Sequence, residues 1–375
     1  MVTFDSLIVR RPHLARGYLE LLAGQPARPL ALFARRRVGK TFFLWNDLRE
    51  EALSAGLLPV YVDVLLHRDA PLAAINHALE EALDDATVPR TPLGKTAKTA
   101  VRKVGALGAS VELGDEPKRR PLPEEAPFRF DALVGRLAAA AGKRLLLMLD
   151  EIQAVGSGTE GSNTMASIRA VLQQRQREVL ALFTGSSQDS LAAMMVSAGA
   201  PMYQFAQLQD FPPLGDEYLE MLAKHFSKVR PGFALDFAAL QSTFTTLAYK
   251  PALIKDLVKG MAAEGATDIV AALRRFARDP KRVDGWRAQV AELQPLERLV
   301  LSVIASGTPP LGQHVPAQFG RVLGGKPPTA GRVRMAVERL RRAGILLKPA
   351  STFELEDPLL AGWLRERETK EILGF

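Results

Sequence analysis

The sequence contains no cysteine among its 375 residues. That absence excludes a disulfide framework, thiol catalysis and a cysteine-ligated zinc site. The five histidines, His13, His67, His77, His225 and His314, are scattered without ligand spacing and are given no metal role. No run of about 18 uncharged apolar residues occurs, so no helical membrane span is expected. The segment from Met1 to Gly17 carries arginines where a secretory signal would be apolar. The expected location is the cytoplasm, on that missing signal alone. Aromatic residues are sparse, at 7%. Trp45, Trp286 and Trp363 fall in helical patterns and are expected in the core rather than as stacking platforms.

What is present is an ordinary globular composition, 47% hydrophobic and 24% charged. At roughly 150 residues per domain, the length implies two to three domains. The net charge is +8, and it is unevenly spread. Arg90, Lys95, Lys98, Arg102, Lys103, Lys118, Arg119 and Arg120 face only Glu112, Asp115 and Glu116 within residues 90–120. A second basic excess lies in residues 286–350. Clustered positive charge marks either a nucleic-acid partner or a solvated basic face, and charge alone does not choose.

The first half alternates short apolar runs with helical patterns, which indicates a parallel sheet with crossover helices. Strands are expected at Pro29–Phe33, Pro59–Val64, Arg144–Leu149, Val179–Thr184 and Tyr203–Leu208. Helices are expected at Lys40–Ala55, Leu72–Leu83, Phe128–Ala141 and Thr164–Gln176. The stretch from Asp85 to Ala126 breaks the pattern and reads as a basic insertion, with one strand-like run at Ala109–Leu113. The Phe211-Pro-Pro-Leu214 segment marks a boundary, followed by helices over Asp216–Arg278 and a second boundary at Asp279-Pro280-Lys281. The organisation expected is a core over 1–210 containing the 85–126 insertion, a helical segment over 211–285 and a small module over 286–375.

The strongest chemical signal runs from Leu32 to Thr41, with Ala34, Arg35, Arg36, Arg37, Val38, Gly39, Lys40, Thr41 and Phe42 at its centre. It fits G-x-x-x-x-G-K-[ST] except that Ala34 takes the first glycine position. Backbone N–H groups of such a loop cradle phosphate oxygens, and the helix that follows adds its positive end. Lys40 would reach the β- and γ-phosphates of ATP, and Thr41 would ligate Mg2+. A second Gly94-Lys95-Thr96 lacks a leading strand and reads as coincidence. The apolar run from Arg144 ends in Asp150-Glu151, which puts two carboxylates at the ligand-binding edge of a sheet. Asp150 would hold Mg2+ through water and Glu151 would orient the attacking water. A third run ends in Thr184-Gly-Ser186-Ser187. Thr184 or Ser186 would sense the γ-phosphate or hold the water, with Ser186 preferred.

These elements, in this order, resemble the archaeal-type ATPase family, among the signalling and AAA+-like P-loop ATPases. The resemblance extends to Tyr249-Lys-Pro251-Ala-Leu-Ile, similar to a lid motif whose proline packs on adenine. It extends also to Phe353-Glu-Leu-Glu-Asp357-Pro358 through Trp363, similar to the family's closing winged-helix segment. Where the family often has Gly-Arg, this chain has Tyr203-Gln204, so an arginine finger must come from elsewhere, with Arg169, Arg175 and Arg177 as candidates.

The last module has helical patterns at Gln294–Ile304, Pro316–Val322 and Thr329–Ala343, then two strand-like runs at Ile345–Lys348 and Thr352–Leu355. That order suits a winged helix, whose third helix commonly enters the major groove. Val333, Val337 and Leu340 share one face of the third helix, and Arg332, Arg334, Arg339, Arg341 and Arg342 spread over the remainder.

The expected architecture is therefore an α/β P-loop NTPase core of the ASCE, AAA+-like type, with a helical lid and a C-terminal winged-helix domain. The expected function is ATP- and Mg2+-dependent hydrolysis that switches a DNA-binding module. The alternative is a nucleotide-gated DNA-binding or protein-scaffold module with negligible turnover. Expected partners are ATP, duplex DNA and a protein partner or second copy, with no membrane.

Overall fold

The computed structural model describes residues 3–24, 28–87, 121–156, 158–186, 191, 194–347 and 352–366. The second Gly-Lys-Thr, the 109–113 run and the basic cluster of residues 90–120 lie outside them.

Five parallel strands form the sheet: β1 Leu30–Phe33, β2 Leu58–Asp63, β3 Leu145–Asp150, β4 Val179–Gly185 and β5 Gln207–Asp210, in the order β2-β3-β4-β1-β5. Every residue of β3 and β4 is buried, because helices cover both faces of the sheet. Side chains alternate between two apolar cores. Leu145, Leu147 and Leu149 pack with α4 (Pro71–Thr87), α5 (Ala126–Ala141) and α6 (Thr159–Gln174). Leu146 and Met148 pack on the other face with α1 (Pro12–Ala23) and the helix that follows β1. That helix begins as α2 (Lys40–Phe43), passes through a π-helical turn at Leu44–Leu48 and continues as α3 (Arg49–Ser54).

Several sequence expectations need correction. The fifth strand begins at Gln207, not Tyr203. Gln204 adopts a left-handed backbone (φ 53°), which a strand does not accommodate, and residues 201–205 form turns instead. Helix α1 was not anticipated. Helices α4 and α5 extend into the stretch read as an insertion, to Thr87 and from Ala126. Trp45 is 47% exposed rather than a core residue. Trp286 and Trp363 are buried, with ring centroids 5.8 Å apart.

After the sheet the chain is helical: α7 Asp216–Val229, α8 Phe237–Thr246, α9 Pro251–Glu264, α10 Ile269–Ala277 and α11 Pro280–Ala291. Asp236, Asp268 and Asp279 cap the N-termini of α8, α10 and α11 with their side chains. The chain continues as α12 Pro295–Ala305, α13 Val315–Val322, α14 Ala330–Arg342, the antiparallel pair β6 Leu346–Leu347 and β7 Glu354–Leu355, and α15 Pro358–Arg365. Thr329 caps α14, and Gly344 ends its turn with a left-handed backbone (φ 71°).

One continuous apolar cluster runs from Leu222 and Leu257 through Trp286 and Val290 to Leu299, Val337 and Trp363. The N-terminal Phe4 also plugs into it. A buried ion pair links the same regions. Lys250 Nζ lies 2.9 Å from Glu356 Oε1, with Lys250 only 4% exposed. Removing one member of a buried pair typically costs about 3–5 kcal/mol, because the other is left unpaired. Lys250→Met is therefore expected to lower stability by about 3 kcal/mol, read from urea denaturation. Lys250→Met with Glu356→Leu is expected to recover most of that loss.

Candidate active site

The C-terminal ends of β1, β3 and β4 meet at one sheet edge, with β4 between β1 and β3. Each end delivers one part of the site.

The loop from β1 turns inward through two left-handed residues, Arg37 (φ 64°) and Gly39 (φ 92°). Consecutive N–H groups in such a bend form an anion-binding concavity. For Arg37 the conformation costs about 1–2 kcal/mol, a strain characteristic of binding loops. Ala34 is not among the positive-φ residues, and its N–H donates to the Gly185 carbonyl at 3.2 Å. Its Cβ is tolerated because the left-handed residues fall three and five positions later. Val38 is buried and anchors the loop on the core.

Lys40 opens α2 and is 6% exposed. Its Nζ lies 2.9 Å from Glu151 Oε1 and 3.8 Å from Asp150 Oδ1. The Thr41 hydroxyl donates to Asp150 Oδ2 at 3.0 Å. Thr184 Oγ1 and the Glu151 N–H both donate to Asp150 Oδ1. Glu151 has a left-handed backbone (φ 55°), which turns the chain out of β3. Its Oε2 accepts from Ser186 Oγ at 2.6 Å, from Ser186 N–H at 3.2 Å and from Gln153 Nε2. Burial pushes the Glu151 carboxyl up, but the Lys40 charge and the hydrogen bonds from Ser186, Lys40 and Gln153 outweigh it and hold the group below the ordinary glutamate value. The paired hydroxyl and carboxylate oxygens of Thr41 and Asp150 suit a hard divalent cation such as Mg2+.

Beside this cluster lies an apolar cavity of about 440 Å³. Gly39, Arg37 and Phe42 line one side of it, Pro251 and Tyr218 another, and Leu7, Ile8 and Val9 a third. Sequence reasoning named Phe42 and Pro251 but missed Tyr218 and the N-terminal strip. A larger cavity of about 1020 Å³ opens on the far side of the loop, between β1, the 245–249 turn and the β7–α15 segment. Neither cavity is lined by Lys40, Thr41, Asp150 or Glu151 themselves; the smaller one is lined by Gly39 and Phe42, which flank Lys40 and Thr41 in the chain, and the larger by Ala34, Arg35 and Val38.

Solved structures match nearly the whole chain. The Walker-type ATPase PABY2304 of Pyrococcus abyssi matches with 17% identity and a TM-score of 0.59, over 96% of this chain and 97% of that one. The ORC2 protein of Aeropyrum pernix, in ADPNP–ADP complexes, matches with 18% identity and a TM-score of 0.53, over 96% of this chain and 92% of that one. The chain has the α/β fold of P-loop nucleoside triphosphatases. No family model and no curated protein matches the sequence.

Arg35 reaches out of the loop to Glu354 at 2.6 Å. Arg36 Nε donates to Ser186 Oγ at 3.3 Å, and its guanidinium also abuts Gly344, where a Cβ would lie 2.9 Å away. Arg169 is bound to the Pro201 carbonyl at 2.7 Å, and Arg175 is paired with Asp131 and Glu178. Both arginines therefore have structural partners, which weakens them as arginine fingers. Arg332, Arg334, Arg339, Arg341 and Arg342 all stand on α14 and line neither cavity. Arg341 is half-buried beside Glu338 at 2.6 Å, and Arg339 lies 3.4 Å from the buried Glu297.

A depressed folded-state carboxyl contributes stability above its unfolded pKa and loses it as pH falls through the folded value. Glu151→Gln removes that contribution. The stability gap between wild type and Glu151→Gln is expected to shrink as pH drops below the ordinary glutamate value of 4.5. Denaturation midpoints measured across that range check it, and a gap that widens on acidification would count against the described pairing.

Proposed function

We propose that this protein is an ATP-binding and ATP-hydrolysing P-loop ATPase that acts as a nucleotide-dependent switch. The observation that carries the reading is the convergence of Lys40 and Thr41 with Asp150 and Glu151 at one sheet edge. The backbone of residues 34–41 would cradle the phosphates of ATP, and the apolar cavity at Phe42 and Pro251 would take the base. Lys40 would exchange Glu151 for the β- and γ-phosphates. Glu151, freed from Lys40 and still held by Ser186 and Gln153, would orient the attacking water and accept its proton. Bound Mg2+ would neutralise charge developing on the phosphates, with Thr41 and Asp150 holding it.

In this reading residues 1–210 are the ATPase core, 211–285 the lid and 286–375 a winged-helix domain that contacts duplex DNA. The exposed Arg332, Arg334 and Arg342 on α14 support DNA contact. Two ion pairs support coupling to the nucleotide. Arg35 of the phosphate loop meets Glu354, and Lys250, next to the base-pocket Pro251, meets Glu356. Loop and lid thus touch alternate residues of one C-terminal segment. Among the described residues no helix is long and apolar enough to cross a membrane, and we place the protein in the cytoplasm.

A second reading, a nucleotide-gated DNA-binding or protein-scaffold module with negligible turnover, is favoured by Gln204 and by the structural employment of Arg169 and Arg175. A protein partner, or a second copy of the chain, would then supply the missing arginine.

Steady-state phosphate release from ATP·Mg2+ is expected in the wild type and to fall about 100-fold or more in Lys40→Ala and Glu151→Gln. Turnover equal to wild type in both variants would remove the hydrolase reading; no turnover without a partner, beside intact ATP binding, would favour the second. In a gel shift on duplex DNA, Arg332→Ala with Arg334→Ala is expected to flatten the log–log salt slope by about 0.9 per lost phosphate contact. An unchanged slope would move DNA contact away from α14.

A further inference from the structure

One hydrogen bond at the site comes from outside every motif. The Tyr61 hydroxyl donates to Asp150 Oδ2 at 3.0 Å. Tyr61 stands opposite Met148 in the β2–β3 register, and Asp150 follows Met148 by two residues on the same face. Both side chains therefore leave the sheet together. Trp45 packs on the Tyr61 ring with centroids 4.8 Å apart, and Arg49 lies over the indole at 5.9 Å. The ring is thus held from the helix that also carries Lys40 and Thr41.

Asp150 is 2% exposed. Its Oδ2 accepts from Thr41 and Tyr61, and its Oδ1 from Thr184 and the Glu151 N–H. An ionised carboxylate offers about four acceptor sites, so these donors fix its orientation. Thr41, Thr184 and Glu151 belong to the three strand-end motifs. Tyr61 alone comes from the edge strand β2, and it is the second hold on the oxygen that faces Thr41.

We propose that Tyr61 is a positioning residue for the Mg2+ site, its hydroxyl locking the Asp150 carboxylate in the orientation that serves the ion beside Thr41. The proposal rests on the nucleotide-site reading above. Hydrogen-bond partners behind metal-serving groups typically govern 10–100-fold in metal affinity.

The test is calorimetric ATP binding to the full chain, in EDTA and across a Mg2+ titration, for wild type, Tyr61→Phe and Lys40→Ala. Tyr61→Phe keeps the ring against Trp45 and removes only the hydroxyl. Its ATP affinity in EDTA is expected to equal wild type, while the Mg2+ concentration for half-maximal tightening rises about tenfold or more. A Mg2+ curve matching wild type would overturn the proposal. ATP affinity already lost in EDTA would also overturn it, since the hydroxyl would then support the site's general shape. Wild-type ATP binding by Lys40→Ala would overturn the nucleotide-site reading and this proposal with it. Lost binding in Lys40→Ala, beside an unchanged Mg2+ curve in Tyr61→Phe, would overturn the Tyr61 assignment alone.

Discussion

The arrangement depends on a buried cation. Lys40 is 6% exposed, and a lysine withdrawn from water needs anionic partners nearby. Glu151 and Asp150 supply them at 2.9 and 3.8 Å. That need fixes the rest of the site. It draws the end of β3 toward the start of α2, with β4 between them contributing Thr184 and Ser186 to the same two carboxylates. It also makes the pairing conditional. Under the function proposed above, a polyphosphate arriving at the loop would offer Lys40 more negative charge than Glu151 does, and ligand and glutamate would compete for one ammonium group.

The features readable in the sequence were local ones. The apolar runs expected as strands at Arg144–Leu149 and Val179–Thr184 form the buried strands Leu145–Asp150 and Val179–Gly185, and Gly39-Lys40-Thr41 after an apolar run is a local pattern that reads as a phosphate loop. The features missed depend on register or on distant pairing. Tyr61 is an unremarked residue of a strand until β2 is set against β3. Glu354 and Glu356 belong to a terminal hairpin until folding brings them to Arg35 and Lys250, hundreds of residues upstream in one case and about a hundred in the other. The fifth strand was misplaced because left-handed backbone at Gln204 has no signature in a residue type other than glycine. Trp45 lies in a helical pattern that does not say which face is covered, and in the fold it is 47% exposed, with only part of the ring packed on Tyr61 and Arg49.

The departures from a standard phosphate loop also find physical reasons. Ala34 sits in ordinary backbone, so a first glycine is unnecessary there. The arginines that surround Val38 are not interchangeable. Arg35 is directed toward Glu354, Arg36 toward Ser186, and Arg37 takes the strained turn beside the apolar cavity. One short run thus touches the C-terminal segment, the glutamate network and the cavity wall.

The apolar cluster that passes without a break from Leu222 to Trp363 has a mechanical consequence. A hinge needs a seam where few contacts cross, and helices α7 to α15 share one core instead. Those helices should turn as a single stiff arm. Under the switch proposed above, a displacement of a fraction of an ångström at Pro251, the first residue of α9, would then reach α14 as movement of the whole arm rather than be relayed through successive contacts.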